Sequence, residues 1–134
     1  MAGFKKFEEI KAWQKARNAT KEVYETTSTG KFLKDFGLRD QIRRSCVSIM
    51  ANIAEGQGRN SDKECANFLN FAHGSVAETQ SHLYIALDLE YLSQNEFRKV
   101  YDLLEEVAKM TMALMKHLRN IRGFSRLQTL DSRL

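Results

Sequence analysis

Leu38–Arg59, LRDQIRRSCVSIMANIAEGQGR, is the stretch whose reading decides the fold. Wound at about 100° per residue, it puts Leu38, Ile42, Cys46, Ile49, Met50 and Ile53 in one sector roughly 120° wide, a stripe made to face a core. Gln41, Arg44, Ser48, Asn52, Glu55 and Arg59 gather in a second, separate sector of about 80°. A solvated face carries Lys and Glu at random, whereas short hydrogen-bonding side chains mixed with Arg and one Glu suit contact with something. The helix is expected to stop at Gly56-Gln57-Gly58, where two glycines offer the left-handed conformation of a C-cap. Neither GxxxxGKS/T nor GxGxxG behind a strand is present, so this turn reads as a helix stop and not as a phosphate cradle.

The neighbours of that helix follow the same period. Phe7, Ile10, Trp13, Ala16, Val23 and Tyr24 predict helix one over about residues 4 to 28. Thr26 to Gly30 lose the pattern and predict its stop. KFLKDFG is then expected as a connector, with Phe32, Leu33 and Phe36 apolar enough to pack on a helix end, and helix two spans about 38 to 57. Ser61-Asp62-Lys63-Glu64 and Ser93-Gln94-Asn95-Glu96 are capping boxes that open helix three, about 62 to 92, and helix four, about 94 to 122. The polar side of helix three (Asn67, Asn70, Ser75, Thr79, Gln80, Ser81) is unusually uncharged, which favours close helix contact, and Gly74 would permit a near approach. The period breaks at Gly123, so residues 123–134 are expected as a loose C-terminal tail. The whole reads as all-α: an antiparallel up-and-down four-helix bundle in one domain, residues 1–122.

Composition agrees, with no Pro, seven Gly and 28% charged residues among 134. Cys46 and Cys65 form no CxxC and lie on apolar stripes, so they read as core thiols of a protein kept in a reducing cytoplasm. The first residues turn acidic before any apolar run forms, and no stretch of 18 apolar residues exists, so neither a signal peptide nor a membrane partner is expected. Net charge is +4 and unevenly placed. Residues 1–59 hold twelve Lys/Arg against seven Asp/Glu, residues 60–92 one against five, and residues 93–134 eight against five. A polyanion would therefore meet the first, second and last helices.

Chemistry is harder to find. No Glu stands three residues before His73, His82 or His117, so the Glu-x-x-His pairs of a di-metal bundle are missing. Glu78 and His82 are one turn apart and read as a surface pair. No HExxH, GxSxG or activated Cys/His motif occurs, and a non-enzyme without metal or cofactor is expected. For nucleic acid the candidates are Arg39 and Arg43 at the start of helix two, with Lys109, Lys116, Arg119 and Arg122 in a stretch of helix four free of acids. Phe68, Phe97 and Tyr101 sit on core stripes and offer no stacking platform.

The run QIRRSCVSIMANIAEGQGRNSDKECANFL, preceded by FEEIKAWQKARNATKEVYE, resembles the four-helix-bundle proteins encoded within 23S rRNA intervening sequences, whose hallmark resembles QIRRAxxSIPxNIAEGxGR. The likeness covers residues 7 to 120, and Met50 stands where that pattern commonly has Pro, which implies a straighter helix two. The family is similar to the accessory variability proteins of diversity-generating retroelements, basic pentamers that bind nucleic acid and a reverse transcriptase. The resemblance therefore implies a homo-oligomer, most simply a pentamer, with RNA or DNA and a reverse transcriptase as partners. It also implies that Gln41, Arg44, Ser48, Asn52, Glu55, Gly56 and Arg59 form a subunit contact or fix the turn into helix three. Two functions stay open: a sequence-nonspecific RNA-binding accessory factor, and a structural assembly module that recruits a protein without touching nucleic acid.

Overall fold

The computed structural model describes the backbone of residues 4–133 and the side chains of residues 4–120. Ile10 sets where the first long helix begins. A 3-10 turn, Phe7–Glu9, leads into Ile10, which is extended and buried, and α1 then runs Lys11–Thr26. The single helix expected from about residue 4 is thus broken, because a straight helix would not turn the Ile10 side chain into the core. Thr27 ends α1 from inside the protein: it is fully buried and its hydroxyl donates to the Val23 carbonyl at 2.7 Å.

The expected connector is a short helix, α2 (Gly30–Lys34), opened by Gly30 at φ +62°. Only Phe32 of its three apolar residues is buried, against Tyr91 at 5.4 Å between ring centroids; Leu33 and Phe36 remain exposed. Asp35 then caps α3 (Phe36–Gln57) by accepting from the Leu38 amide at 3.1 Å, so this helix starts two residues earlier than its apolar period indicates. The other Asp35 oxygen accepts from the Tyr91 hydroxyl at 3.0 Å. This clips the start of α3 to the turn between the last two helices. α3 is continuous through Met50.

The second capping box forms in full and the first by its serine bond alone. Ser61 Oγ accepts from the Glu64 amide at 3.1 Å and opens α4 (Asp62–Asp88). Ser93 and Glu96 bond in both directions, at 3.1 and 3.0 Å, and open α5 (Gln94–Arg133). α4 stops short of the expected residue 92 because Glu90 takes φ +61°, after which Leu92 turns back into the core. α5 passes through Gly123, so the expected stop at 122 is not observed; side-chain docking of residues 123–134 lies outside the described residues.

α3 packs on α4, α4 on α5, and α1 closes the square between α5 and α3, giving an antiparallel up-and-down four-helix bundle. Ile42, Cys46, Ile49 and Ile53 of α3 meet Leu69, Val76 and Leu83 of α4 and Val100, Leu104 and Val107 of α5 in one core. Among the described residues no helix is long and apolar enough to cross a membrane.

Candidate nucleic-acid interface

The basic candidates of α3 are held by the bundle itself. Arg43 Nε donates to Thr27 Oγ1 at 2.8 Å and its Nη2 to Ser28 Oγ at 3.2 Å, while the guanidinium lies over the Tyr24 ring, 4.6 Å from its centroid. One turn earlier, Arg39 Nη1 donates to the Leu33 carbonyl at 3.1 Å and its Nε to Asp40 at 2.9 Å, with the guanidinium 4.8 Å from the Phe36 ring. Lys31, Lys34 and Arg44 are exposed. Lys31, Lys34, Arg39 and Arg43 thus lie on the segments that meet where α1, α2 and α3 join, with Glu25, Asp35 and Asp40 as the acids of those segments, and Asp35 is occupied as cap and as acceptor of Tyr91.

The α5 candidates lie elsewhere. Lys99 pairs with Glu22 at 3.1 Å and Lys15 with Glu106 at 3.0 Å, which fixes α5 antiparallel to α1. Arg119, exposed, therefore lies about 20 Å beyond Glu106 at 1.5 Å per residue, past the start of α1. One chain does not bring Arg39 and Arg43 together with Arg119; they occupy opposite ends of the bundle. Lys109 and Lys116 border a groove of about 510 Å³ between α4 and α5, with His73, Gln80 and Met112. The side chain of Arg122 lies outside the described residues.

The second sector of α3 divides three ways. Gln41 and Arg44 are exposed. Ser48 and Asn52 face α4: Ser48 Oγ shares a 3.0 Å hydrogen bond with Ser75 Oγ, and Asn52 Nδ2 donates to the Ser48 carbonyl at 2.8 Å and hydroxyl at 3.0 Å. Beside them Thr79 Oγ1 stands 2.7 Å from Ser45 Oγ, so a ladder of small polar groups joins the two helices, as the uncharged side of helix three predicts for Ser75 and Thr79. Glu55, Gly56 and Arg59 build the turn. Arg59 pairs with Glu55 at 3.2 Å and lies over Phe68 of α4 at 4.6 Å.

Gly56 is not a left-handed C-cap. It lies inside α3 and is buried, and Gly58, the C-cap, has φ −77°. A Cβ on Gly56 would approach the Cys65 carbonyl oxygen and Phe68 Cβ at 3.2 Å each, so this glycine serves helix approach. The role expected of Gly74 belongs to Gly56: nothing lies within 4 Å of a Cβ built on Gly74.

Tyr24 and Phe36 were not among the sequence candidates. The periodicity assigns Tyr24 to the core and Phe36 to a packed connector, yet they are 41% and 64% exposed. The Phe36-x-x-Arg39 spacing, which brings two side chains together on a helix surface, is the signal that finds them. As for other chemistry, His82 Nε2 is buried without a hydrogen bond, 3.5 Å from a Glu78 oxygen, the expected i,i+4 pair. Burial pushes the Cys46 thiol up to about 11, with the neighbouring Thr20 side chain acting the other way, and pushes Cys65 up too, so both sulfurs stay protonated near neutrality. Among the described residues no three His, Cys, Asp or Glu side chains cluster around a point that would hold a metal ion.

Comparison with known proteins fits this geometry. Comparison with curated proteins gives no match. Solved structures of similar fold include a protein of unknown function from the S23 ribosomal protein family of Bacteroides thetaiotaomicron VPI-5482, 25% identical, with a TM-score of 0.72 over 78% of this chain and 98% of that one. The family described as 23S rRNA-intervening sequence protein matches residues 8–113. With four antiparallel helices and the α3 motif in place over that span, the chain belongs to the 23S rRNA-intervening sequence protein family.

Proposed function

We infer that this protein is a non-enzymatic, self-associating accessory factor that binds RNA or DNA through its phosphates with little sequence preference. The observation that carries the reading is the cationic shoulder where α1, α2 and α3 meet. Lys31 and Lys34 are exposed there, and Arg39 and Arg43 are held in place by protein acceptors while keeping donors for a phosphate. Pre-positioned guanidinia lose little rotamer freedom on binding. Arg119 with Lys116 supplies a second, separate footprint, and several copies of both in one assembly would convert weak contacts into useful affinity. The family's description, which names an intervening sequence of 23S rRNA, makes RNA the natural first ligand to test.

The experiment is a mobility shift of labelled RNA at low salt. Lys31→Glu with Lys34→Glu, both exposed, should weaken binding of every sequence alike, and Arg119→Glu should do so independently. A second reading, an assembly module that recruits a protein such as a reverse transcriptase, draws support from the outer face of α4, where Phe71, Ile85 and Leu89 are exposed. Absence of any shift for the wild-type protein would favour that module.

A further inference from the structure

We propose that the exposed face running along α1 and α3 is a stacking track for single-stranded nucleic acid, with Phe36 and Tyr24 as its base platforms; the inference rests on the nucleic-acid reading above and names the strand it takes. Phe36, Arg39 and Arg43 follow one another along α3 at i, i+3 and i+7, and Arg43 reaches across to Tyr24 of α1. On α1 the row continues through exposed Lys21 to Arg17, whose guanidinium lies 5.8 Å from the ring of Trp13. Aromatic rings and guanidinium planes thus alternate with a lysine along roughly 27 Å of helix at 1.5 Å per residue.

Three observations select the ligand. Among the described residues Phe36 is the most exposed of the large apolar side chains, 64%, and the core does not use it. Phe36 and Tyr24 each have a guanidinium over the ring and still keep substantial exposed surface for a second flat partner. The acids adjoining the row in sequence are Asp35, engaged by the Leu38 amide and Tyr91, Asp40, bonded to Arg39, and Glu25; against Arg17, Lys21, Lys31, Lys34, Arg39 and Arg43 they leave the track net positive, which suits a polyanion. A flat, anionic, flexible partner is an unpaired strand: its bases stack on rings and guanidinia while its phosphates meet Lys21, Lys31 and Lys34. A duplex keeps its bases stacked internally and offers the rings nothing but backbone. No side chain in the row is arranged to read base edges, so RNA and DNA single strands should bind alike.

The test uses the full chain, a fluorescein-labelled oligouridylate of about 12 nucleotides and a duplex of equal length, at low salt. Trp13, the one tryptophan, reports from within the track. The single strand should bind roughly tenfold tighter than the duplex and quench Trp13. Phe36→Ala and Tyr24→Ala should each weaken single-strand binding about tenfold, leaving duplex affinity and molecular mass unchanged. Equal affinity for both strands with Phe36→Ala silent overturns the track and leaves the phosphate reading standing. No binding of either probe overturns both. A fall in mass with Phe36→Ala assigns that ring to self-association and overturns the track.

Discussion

Ile53 and Ser48 sit five residues apart on α3 and carry opposite loads. Ile53 is fully buried in the core, and Ile53→Ala should cost about 2–4 kcal/mol of folding stability. Ser48 bonds Ser75 and Asn52 at a half-buried position, so Ser48→Ala should cost about 1 kcal/mol. Equal losses in urea melts would mean that the two faces of α3 are misassigned. Gly56 is a tighter constraint. With a Cβ already 3.2 Å from the Cys65 carbonyl, the two further methyls of Gly56→Val have no room, and the variant should lose about 1–3 kcal/mol despite leaving a poor helix former behind. Cys46 contributes a pH dependence. Its thiol rises from 9.0 in the unfolded chain to about 11 in the bundle, so the folded state holds the proton longer. The stabilisation is complete below pH 9 and is lost as pH climbs to about 11, a loss of roughly 2–3 kcal/mol. Denaturant melts of Cys46→Ala should show a correspondingly flatter decline across that window; an unchanged slope would mean that Cys46 ionises as freely in the fold as in the unfolded chain.

At the scale of elements, what the sequence discloses depends on how local its cause is. Ser61 and Ser93 disclose helix starts because a serine cap is made within four residues, and both starts are found where the boxes place them. The core stripe of α3 is equally legible, since a 3.6-residue period needs no knowledge of the neighbours. Gly56 misleads because glycine answers two different needs, a left-handed turn and a close helix approach, and only the position of α4 decides between them. Ile10 and Asp35 misplace helix starts for a related reason: one breaks the chain to reach the core, and the other caps α3 ahead of its first apolar residue. The candidate site is legible in its charges and hidden in its rings. Arg39 and Arg43 are visible as a basic pair, but the exposure of Tyr24 and Phe36 depends on where α2 sets the chain down. The motif's polar sector likewise divides only once α4 is present, with Ser48 and Asn52 spent within the chain and Gln41 and Arg44 left outside.

For the molecule as a whole, the two basic footprints lie at opposite ends, and their use together depends on assembly. Phe71 and Ile85 on α4 and Leu89 at its C-cap, all exposed, are the surface expected to meet another subunit in a closed ring, most simply a pentamer. Light scattering at micromolar concentration should give a multiple of the 15.5 kDa chain; the monomer mass would remove the ring. The binding claim is tested most directly by titrating labelled RNA over a series of salt concentrations. Each neutralised phosphate releases about one counterion, so the account predicts micromolar binding near 50 mM salt, with log affinity falling linearly and steeply as log salt rises. No binding at about 50 mM salt, or an affinity indifferent to salt, would contradict it.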